Sequence, residues 1–255
     1  MNFVNKEHFN IFLRGLTYLG QGFQGICYLN KNNNIVYKVF HEYMDNEKAG
    51  YDKDFLLRFS NIKNNTFIWP TDVIYVENEL VGYTMPYKNS RNLFQIDPLS
   101  VSLNALEKGL TNIFKDIKII TDNNVTLYDV MYNIMYKNGR LYVVDTLEYG
   151  INKTSYEDNR ACIDNEIMLF LVDDYFDYFV KDNLLLNEMY MDYNVSSLEF
   201  LKEFRKKLSE YLDKDITKLN DAKSLVKKSK ATYQRSILNK KYNLQIRFIN
   251  DIIKI

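Results

Sequence analysis

Hydrophobic and polar residues alternate over the first third of the chain with the period of β-strands. The runs that predict strands are rich in β-branched and aromatic residues and lie at 16–19, 26–29, 35–40, 73–76 and 80–83. The turn at 30–34 is mostly asparagine, which tolerates left-handed backbone. A helix with an apolar end is expected over 45–60. This part of the chain is therefore expected to form a small antiparallel sheet with one helix.

The pattern becomes helical from about residue 100. Apolar residues recur every three or four positions over 102–120, which predicts an amphipathic helix. Two short apolar runs then flank an Asn-Gly pair at 138–139, the strongest local signal for a β-hairpin. Residues 155–255 are expected to be helical, with Ser196 and Glu199 forming a capping box at one helix start. A sheet-rich first part and a helix-rich second part predict an α+β protein.

The composition excludes several classes of protein. The 255 residues are 46% hydrophobic, and Lys plus Arg equals Asp plus Glu at 33 each, so no net charge attracts nucleic acid or anionic lipid. Two cysteines and two histidines are too few for a disulfide framework or a histidine-rich metal centre. The first residues lack the features of a signal peptide, and no apolar run of about 18 residues occurs. We therefore expect a cytoplasmic protein with no membrane span and no nucleic-acid partner.

A glycine-rich segment joins the first two predicted strands. Glycines at 20, 22 and 25 have a phosphate-loop spacing, because glycine lets backbone approach a phosphate without a Cβ clash. A dinucleotide site would need a helix directly after the last glycine, and here a strand follows. The segment is thus either a plain turn between strands or the flap that covers a nucleotide in kinases. In the second case the nucleotide-binding candidates are the segment and the start of the next strand: Gly20, Gln21, Gly22, Phe23, Gln24, Gly25 and Cys27.

Lys38 interrupts the apolar strand 35–40. It either lies on an edge strand with its side chain in water or is the cation that binds the α- and β-phosphates. A phosphate-binding lysine needs a carboxylate from the following helix to orient it. Asp54, Asp52 and Glu47 are the candidates, and counting back from the apolar helix end favours Asp54.

Three polar residues follow about 90 positions later. Asp129 and Asn133 precede the predicted hairpin, and Asp145 ends its second strand. Each alone is more simply a cap or turn residue. Together, and in this order behind the glycine segment and Lys38, they fit phosphoryl transfer, in which one carboxylate accepts the proton of the attacking hydroxyl. An asparagine and a second carboxylate then hold Mg²⁺ on the phosphates.

With these residues the chain resembles the protein-kinase-like superfamily. The glycines match its glycine-rich loop, Ile35–Lys38 matches its Val-Ala-Ile-Lys strand, and the three polar residues match its catalytic loop and its Asp-Phe-Gly aspartate. The resemblance implies a bilobal fold, with a small antiparallel-sheet N-lobe over 1–88 and a larger helical C-lobe over 89–255. It also implies ATP in the cleft between the lobes, with the adenine against a hinge at about 84–90. The hinge residues implied to bind the nucleotide are Thr84, Met85 and Tyr87.

The chain departs from the family's pattern near the expected base. The spacing from Asp129 to Asn133 is four, where the family has five, Asp145 is followed by Thr-Leu, and no Ala-Pro-Glu motif is present. The predicted function is an ATP- and Mg²⁺-dependent phosphotransferase, with Lys38 and Asp129 catalytic, Asn133 and Asp145 on the metal, and a hydroxyl as acceptor. A protein Ser/Thr is favoured as acceptor over a small molecule. The alternatives are a pseudokinase that binds nucleotide without transfer, and an unrelated α+β binding domain.

Overall fold

The computed structural model describes residues 1–48, 50–128 and 130–227. These residues form two units. The sheet unit comprises 1–63 and 68–89, and the helical unit comprises 64–67 and 90–227.

A six-stranded sheet is the frame of the sheet unit. Its strands are β1 (Asn2–Phe3), β2 (Thr17–Gln21), β3 (Gly25–Asn30), β4 (Ile35–Phe40), β5 (Asp72–Val76) and β6 (Glu79–Pro86). Their spatial order is β1-β5-β6-β4-β3-β2, and every pair is antiparallel except β1 with β5. All five predicted strands are confirmed, and β4 is central, with β3 on one side and β6 on the other.

The sequence pattern predicts no helix or strand before residue 16, but β1 and the helix α1 (Lys6–Arg14) lie there. The Asn5 side chain caps α1 by accepting a hydrogen bond from the His8 N–H at 2.9 Å. Phe9 and Leu13, one turn apart on α1, are buried in a cluster with the sheet residues Val39 and Ile74. The helix therefore covers one face of the sheet and completes its core.

The helix expected over 45–60 is wrong in extent. The chain instead forms α2 (His41–Met44) and α3 (Lys53–Leu57). Asn46 has left-handed backbone, with φ of 61°, just after α2 ends. The carboxylate of Asp52 caps α3 by accepting a backbone N–H of its first turn at 2.7 Å. A left-handed residue and a helix cap thus divide a segment for which the apolar pattern predicts one continuous helix.

The helical unit contains five helices and five short strands among its described residues. The helices are α4 (Leu103–Asp122), α5 (Tyr156–Val172), α6 (Asp177–Asp182), α7 (Leu184–Met191) and α8 (Ser197–Leu212). The strands are β7 (Arg91–Asn92), β8 (Val125–Thr126), β9 (Ile134–Lys137), β10 (Arg140–Val143) and β11 (Gly150–Ile151). Three short 3-10 turns complete the unit: Leu93–Gln95, Pro98–Ser100 and Leu219–Leu225.

The predicted hairpin packs tightly against α4. Asn138 and Gly139 form its turn with φ of 50° and 80°, the left-handed backbone that the Asn-Gly pair predicts. A Cβ on Gly109 of α4 would lie 2.6 Å from the Gly139 carbonyl oxygen. The helix and the hairpin turn therefore approach closely because neither residue carries a side chain here.

The α+β class is confirmed, as are the helix expected over 102–120 and the capping box of Ser196 and Glu199 at the start of α8. Residues 228–255, the end of the stretch expected to be helical, lie outside the described residues. Within the described part of the chain, no helix is both long and apolar enough to cross a lipid bilayer.

Candidate functional site

The glycine loop, residues 20–25, closes the hairpin of β2 and β3. The Gly22 N–H donates to the Gly25 carbonyl oxygen at 3.0 Å, and this bond defines the turn. His41 supports the loop, since its Nε2 donates to the Gly22 carbonyl at 2.9 Å and its backbone N–H donates to the Gln24 carbonyl at 3.2 Å. Phe23 at the tip is 98% exposed. The loop is thus held by hydrogen bonds from the start of α2 and presents an aromatic side chain to solvent.

Close packing against β4 leaves room only for glycine at position 25. A Cβ at this position would lie 2.2 Å from the Val39 carbonyl oxygen of β4. Gly82 on the other side of β4 is under the same constraint, because a Cβ added to it would lie 2.2 Å from the Lys38 carbonyl oxygen. Backbone-to-backbone packing around β4 is therefore enough to explain these two glycines, without a ligand.

Lys38 lies in the centre of the sheet with 3% of its surface exposed. The alternative of an edge-strand lysine with its side chain in water is therefore wrong. Its Nζ donates a hydrogen bond to Oε1 of Gln24 at 2.9 Å and lies 5.7 Å from the centre of the Tyr83 ring. Cys27 is its register partner on β3. The structure thus brings together three of the nucleotide-binding candidates: Lys38, Gln24 and Cys27.

The acids considered as partners of Lys38 all lie on or near α3. Asp54 is in the first turn of α3 and exposed, Asp52 caps the same helix, and Glu47 is exposed ahead of it. A fourth acid, Glu42, follows β4 in α2, and its Oε2 is buried without a hydrogen-bond partner among the described residues. The pairing of Asp54 with Lys38 stays a prediction, and Glu42 is an acid that the sequence did not single out.

The hinge candidates lie at the end of β6. Thr84 and Met85 are buried strand residues, so β6 extends into the first part of the expected hinge and ends at Pro86. The Thr84 carbonyl accepts the Thr71 N–H at 2.8 Å, and the Tyr87 N–H donates to the Asn34 carbonyl at 2.8 Å. These two backbone groups are thus already bonded within the sheet unit. Contact of Thr84, Met85 and Tyr87 with adenine stays a prediction.

The metal candidates lie in the helical unit, on either side of the β9–β10 hairpin. The Val144 N–H donates to the Asn133 carbonyl oxygen at 3.0 Å, so the backbones at Asn133 and Asp145 are close neighbours. Asp145 has left-handed backbone, with φ of 59°. Asp129, the candidate base, lies outside the described residues. The hairpin therefore brings the backbone of Asn133 close to the segment that carries Asp145. Their joint binding of a metal ion stays a prediction.

The side chains of Asn133 and Asp145 carry oxygen atoms of the kind that coordinate Mg²⁺. An amide oxygen and a carboxylate are hard oxygen ligands, and Mg²⁺ is commonly held by one or two protein oxygens together with phosphates and water. Among the described residues, no group of three or more His, Cys, Asp and Glu side chains is arranged to hold a metal. An ion at Asn133 and Asp145 would take phosphate and water oxygens as its further ligands.

Asn159 of α5 organises the start of the 127–133 loop, although the sequence did not single it out. Its side-chain amide donates to the Val125 carbonyl and to Thr121 Oγ1, both at 2.8 Å, and its Oδ1 accepts the Leu127 N–H at 2.8 Å. Asn159 is 1% exposed, so these bonds are shielded from water. The contact joins residues more than 30 positions apart, and no sequence spacing reveals it.

These elements follow one another in the order that the resemblance to the protein-kinase-like superfamily implies. A glycine hairpin precedes a strand with a buried lysine, β6 ends the sheet unit, and a long helix then leads to the 127–133 loop and the β9–β10 hairpin. No protein-family model and no curated protein sequence matches the chain.

Among solved structures, the chain is similar to the kinase PK-1 of Cydia pomonella granulovirus. The two share 18% identity over 57% of this chain and 56% of the viral kinase, with a TM-score of 0.39. The matched part thus spans about half of the viral protein's length.

Proposed function

We propose that this protein binds ATP with Mg²⁺ and transfers the γ-phosphoryl group to a hydroxyl. The observation that carries the proposal is Lys38, a buried cation on the central strand that is hydrogen-bonded to Gln24 of the glycine loop. In protein kinases the lysine of this strand binds the α- and β-phosphates, and the glycine-rich loop covers them. The bond between Lys38 and Gln24 gives this chain a cation next to its own glycine loop, where a nucleotide phosphate would lie.

Each candidate residue has a role in this proposal. Lys38 binds the α- and β-phosphates, and the glycine loop covers them. Asn133 and Asp145 would hold Mg²⁺, which would supply positive charge next to the phosphates. Asp129 accepts the proton of the attacking hydroxyl. The hydroxyl oxygen bonds to the γ-phosphorus, the bond from that phosphorus to the β–γ bridging oxygen breaks, and ADP leaves.

A pseudokinase is the second candidate, because one observation favours it. The family's catalytic loop has five positions from aspartate to asparagine, and this chain has four between Asp129 and Asn133. A protein of this kind would bind nucleotide through Lys38 and not transfer phosphate.

Incubation with Mg²⁺ and γ-labelled ATP separates the two functions, alongside an Asp129→Asn variant. The phosphotransferase is expected to transfer label to an acceptor or release phosphate, and the variant is expected to lose this turnover while keeping ATP-induced thermal stabilisation. Thermal stabilisation without any label transfer or phosphate release, tested with a broad set of hydroxyl acceptors, would favour the pseudokinase. The absence of any ATP effect on thermal stability would contradict both.

A further inference from the structure

Tyr132, the residue before the proposed metal ligand Asn133, has left-handed backbone with φ of 62°. The Asn133 N–H donates to the Val130 carbonyl oxygen at 2.9 Å, so residues 130–133 form a tight turn with Tyr132 in its third position. A positive φ at this position usually belongs to glycine or asparagine, and a bulky side chain there is an outlier. Such a conformation persists only where the surrounding structure holds it, and it occurs often at functional sites.

The side chain of Asn92 binds the backbone of Tyr132. Its Nδ2 donates a hydrogen bond to the Tyr132 carbonyl oxygen. Its Oδ1 accepts the Phe94 N–H at 2.9 Å, so the other end of the amide, which carries the donors, faces Tyr132. Asn92 lies on β7, and its partner in the sheet is Met135 of β9. The pairing of β7 with β9 therefore brings this amide to the peptide that precedes Asn133.

The peptide groups on both sides of Tyr132 are hydrogen-bonded. The peptide between Tyr132 and Asn133 accepts from Asn92 through its oxygen and donates to Val130 through its N–H. The N–H of Tyr132 itself, in the preceding peptide, donates to Glu166 Oε1 at 3.3 Å. Peptide groups are planar, so bonds to both planes define φ and ψ of the residue between them. The left-handed backbone of Tyr132 is thus held from outside the turn.

The ring of Tyr132 is in contact with the same segment. It lies edge-on to the Phe94 ring, with the ring centres 4.9 Å apart, and aromatic pairs favour this arrangement. Phe94 belongs to the 3-10 turn Leu93–Gln95, which the Asn92 side chain caps. Residues 92–94 therefore contact Tyr132 through both its backbone and its ring.

The backbone of Asn133 connects this turn to the segment of Asp145. The Asn133 carbonyl oxygen accepts the N–H of Val144, the residue before Asp145, at 3.0 Å. A change in the orientation of the peptide after Tyr132 would therefore move Asn133 relative to the other proposed metal ligand.

We infer that Asn92 is a positioning residue of the proposed magnesium site, which it serves by holding the left-handed turn at Tyr132 and so the place of Asn133. The inference rests on the proposed function, in which Asn133 is a metal ligand. It also explains how the short loop presents its asparagine. The chain has four positions from Asp129 to Asn133 where the family has five, and a tight turn reverses the chain within few residues.

An Asn92→Asp variant removes the bond to Tyr132 alone. The carboxylate still accepts the Phe94 N–H and keeps the cap, but it has no N–H for the Tyr132 carbonyl. Asn183→Asp is the matched control, because the Asn183 side chain caps α7 by accepting the Leu186 N–H at 3.1 Å. Each variant adds one negative charge to the helical unit and keeps one cap.

The Kd of ATP is measured by titration calorimetry on the full-length protein, with and without Mg²⁺. Loss of a residue that orients a metal ligand typically costs about 10–100-fold in metal affinity, so we expect Asn92→Asp to reduce the strengthening of ATP binding by Mg²⁺ at least about tenfold. Its affinity for ATP without Mg²⁺ is expected to stay close to that of wild type, and Asn183→Asp is expected to match wild type in both. Equal weakening of ATP binding with and without Mg²⁺ in Asn92→Asp would indicate a general structural role and would overturn the inference.

A second substitution separates backbone conformation from charge. Asparagine adopts left-handed backbone more readily than tyrosine. In a Tyr132→Asn background, Asn92→Asp is therefore expected to reduce the Mg²⁺ effect far less than in wild type, although it adds the same charge. An equal reduction in both backgrounds would overturn the inference. Loss of the Mg²⁺ effect in Tyr132→Asn alone would also overturn it, since the left-handed backbone is then not what Asn133 requires.

The wild-type measurements distinguish failure of this inference from failure of the proposed function. ATP binding that Mg²⁺ strengthens equally in wild type and in Asn92→Asp overturns the inference and leaves the phosphotransferase in place. The absence of ATP binding in wild type overturns the proposed function and, with it, the role of Asn92 at a metal site.

Discussion

The Lys38 ammonium group donates a hydrogen bond to Gln24 Oε1 over 2.9 Å, joining the central strand of the sheet to the glycine loop. The Gln24 carbonyl also accepts the His41 N–H at 3.2 Å, so the same residue is tied to the start of α2. The lysine, the loop and α2 are thus fixed to one another within one unit. Such preorganisation lowers the ordering cost of binding a ligand.

Removal of the Lys38 charge is expected to abolish nucleotide binding without unfolding the protein. Lys38→Met keeps the buried aliphatic stem in the sheet and removes the ammonium group that is proposed to bind the phosphates. A ligand at 100 times its Kd stabilises a protein by about 2.7 kcal/mol, and this ATP-dependent shift in Tm is expected to disappear. Lys31→Met changes an exposed lysine in the turn after β3 and is expected to keep the shift. A Lys38→Met protein with an undiminished ATP shift would remove Lys38 from the nucleotide site.

Gly25→Ala is expected to destabilise the sheet unit even without nucleotide. The new Cβ would lie 2.2 Å from a backbone oxygen of β4, so a strand must move, at a cost of about 1–3 kcal/mol. Gly50→Ala is the matched control, because no heavy atom lies within 4 Å of its added Cβ. It is expected to be neutral or to stabilise by about 0.4–1 kcal/mol through the unfolded state. The urea midpoint of unfolding is measured for wild type and for both variants. A midpoint of Gly25→Ala equal to that of wild type would show that the strands near Gly25 move apart at little cost.

Glu199 is expected to make the stability of the protein depend on pH in acid. The hydroxyl and N–H of Ser196 hold the pKa of this carboxyl below its ordinary value of 4.5. A lowered folded-state pKa gives stability that is present above about pH 4.5 and lost as the pH falls through the folded pKa. Glu199→Gln keeps an acceptor for Ser196 but does not titrate. The difference in unfolding free energy between wild type and Glu199→Gln is therefore expected to shrink between pH 6 and pH 3. A difference that stays constant over this range would contradict the role of Glu199.

The strands and the hairpin could be predicted because their signals are local. Alternating β-branched and aromatic residues predict β4 to the residue, and the Asn-Gly pair predicts the turn at Asn138 and Gly139. The extent of the helix over 45–60 could not be predicted this way. The spacing of apolar residues does not show that Asn46 has left-handed backbone or that Asp52 caps a new helix in the middle of the segment.

Parts of the candidate site depend on contacts that the sequence does not contain. The motif order identifies Lys38, and the structure adds its burial on a central strand and its bond to Gln24. Asn159 and Glu166 touch the 127–133 loop from α5, about 30 residues later in the chain. Only folding brings α5 to this segment, so no sequence spacing predicts these two contacts.

Replacement of Asn159 is expected to destabilise the helical unit and to disturb the 127–133 loop. Asn159→Ala leaves the buried Leu127 N–H and Val125 carbonyl without their partner, at about 1–3 kcal/mol for each group. Asn112→Ala on the exposed face of α4 is the control and is expected to change stability by less than about 0.7 kcal/mol, the range of helix propensities. Urea denaturation measures both. A loss below about 1 kcal/mol for Asn159→Ala would mean that water reaches these groups in its place.

Asp145→Asn is expected to remove the Mg²⁺ dependence of nucleotide binding while leaving the fold intact. Asparagine accepts left-handed backbone as readily as aspartate, so the φ of 59° is no obstacle and the change is mainly one of charge. Asp213→Asn is a control of the same kind, because Asp213 also has left-handed backbone, with φ of 49°, at the end of α8. The affinity for ATP, measured with and without Mg²⁺, is expected to become independent of the ion only in Asp145→Asn. If the ion still strengthens binding in that variant as in wild type, Asp145 does not hold the metal and Asn133 loses its proposed partner.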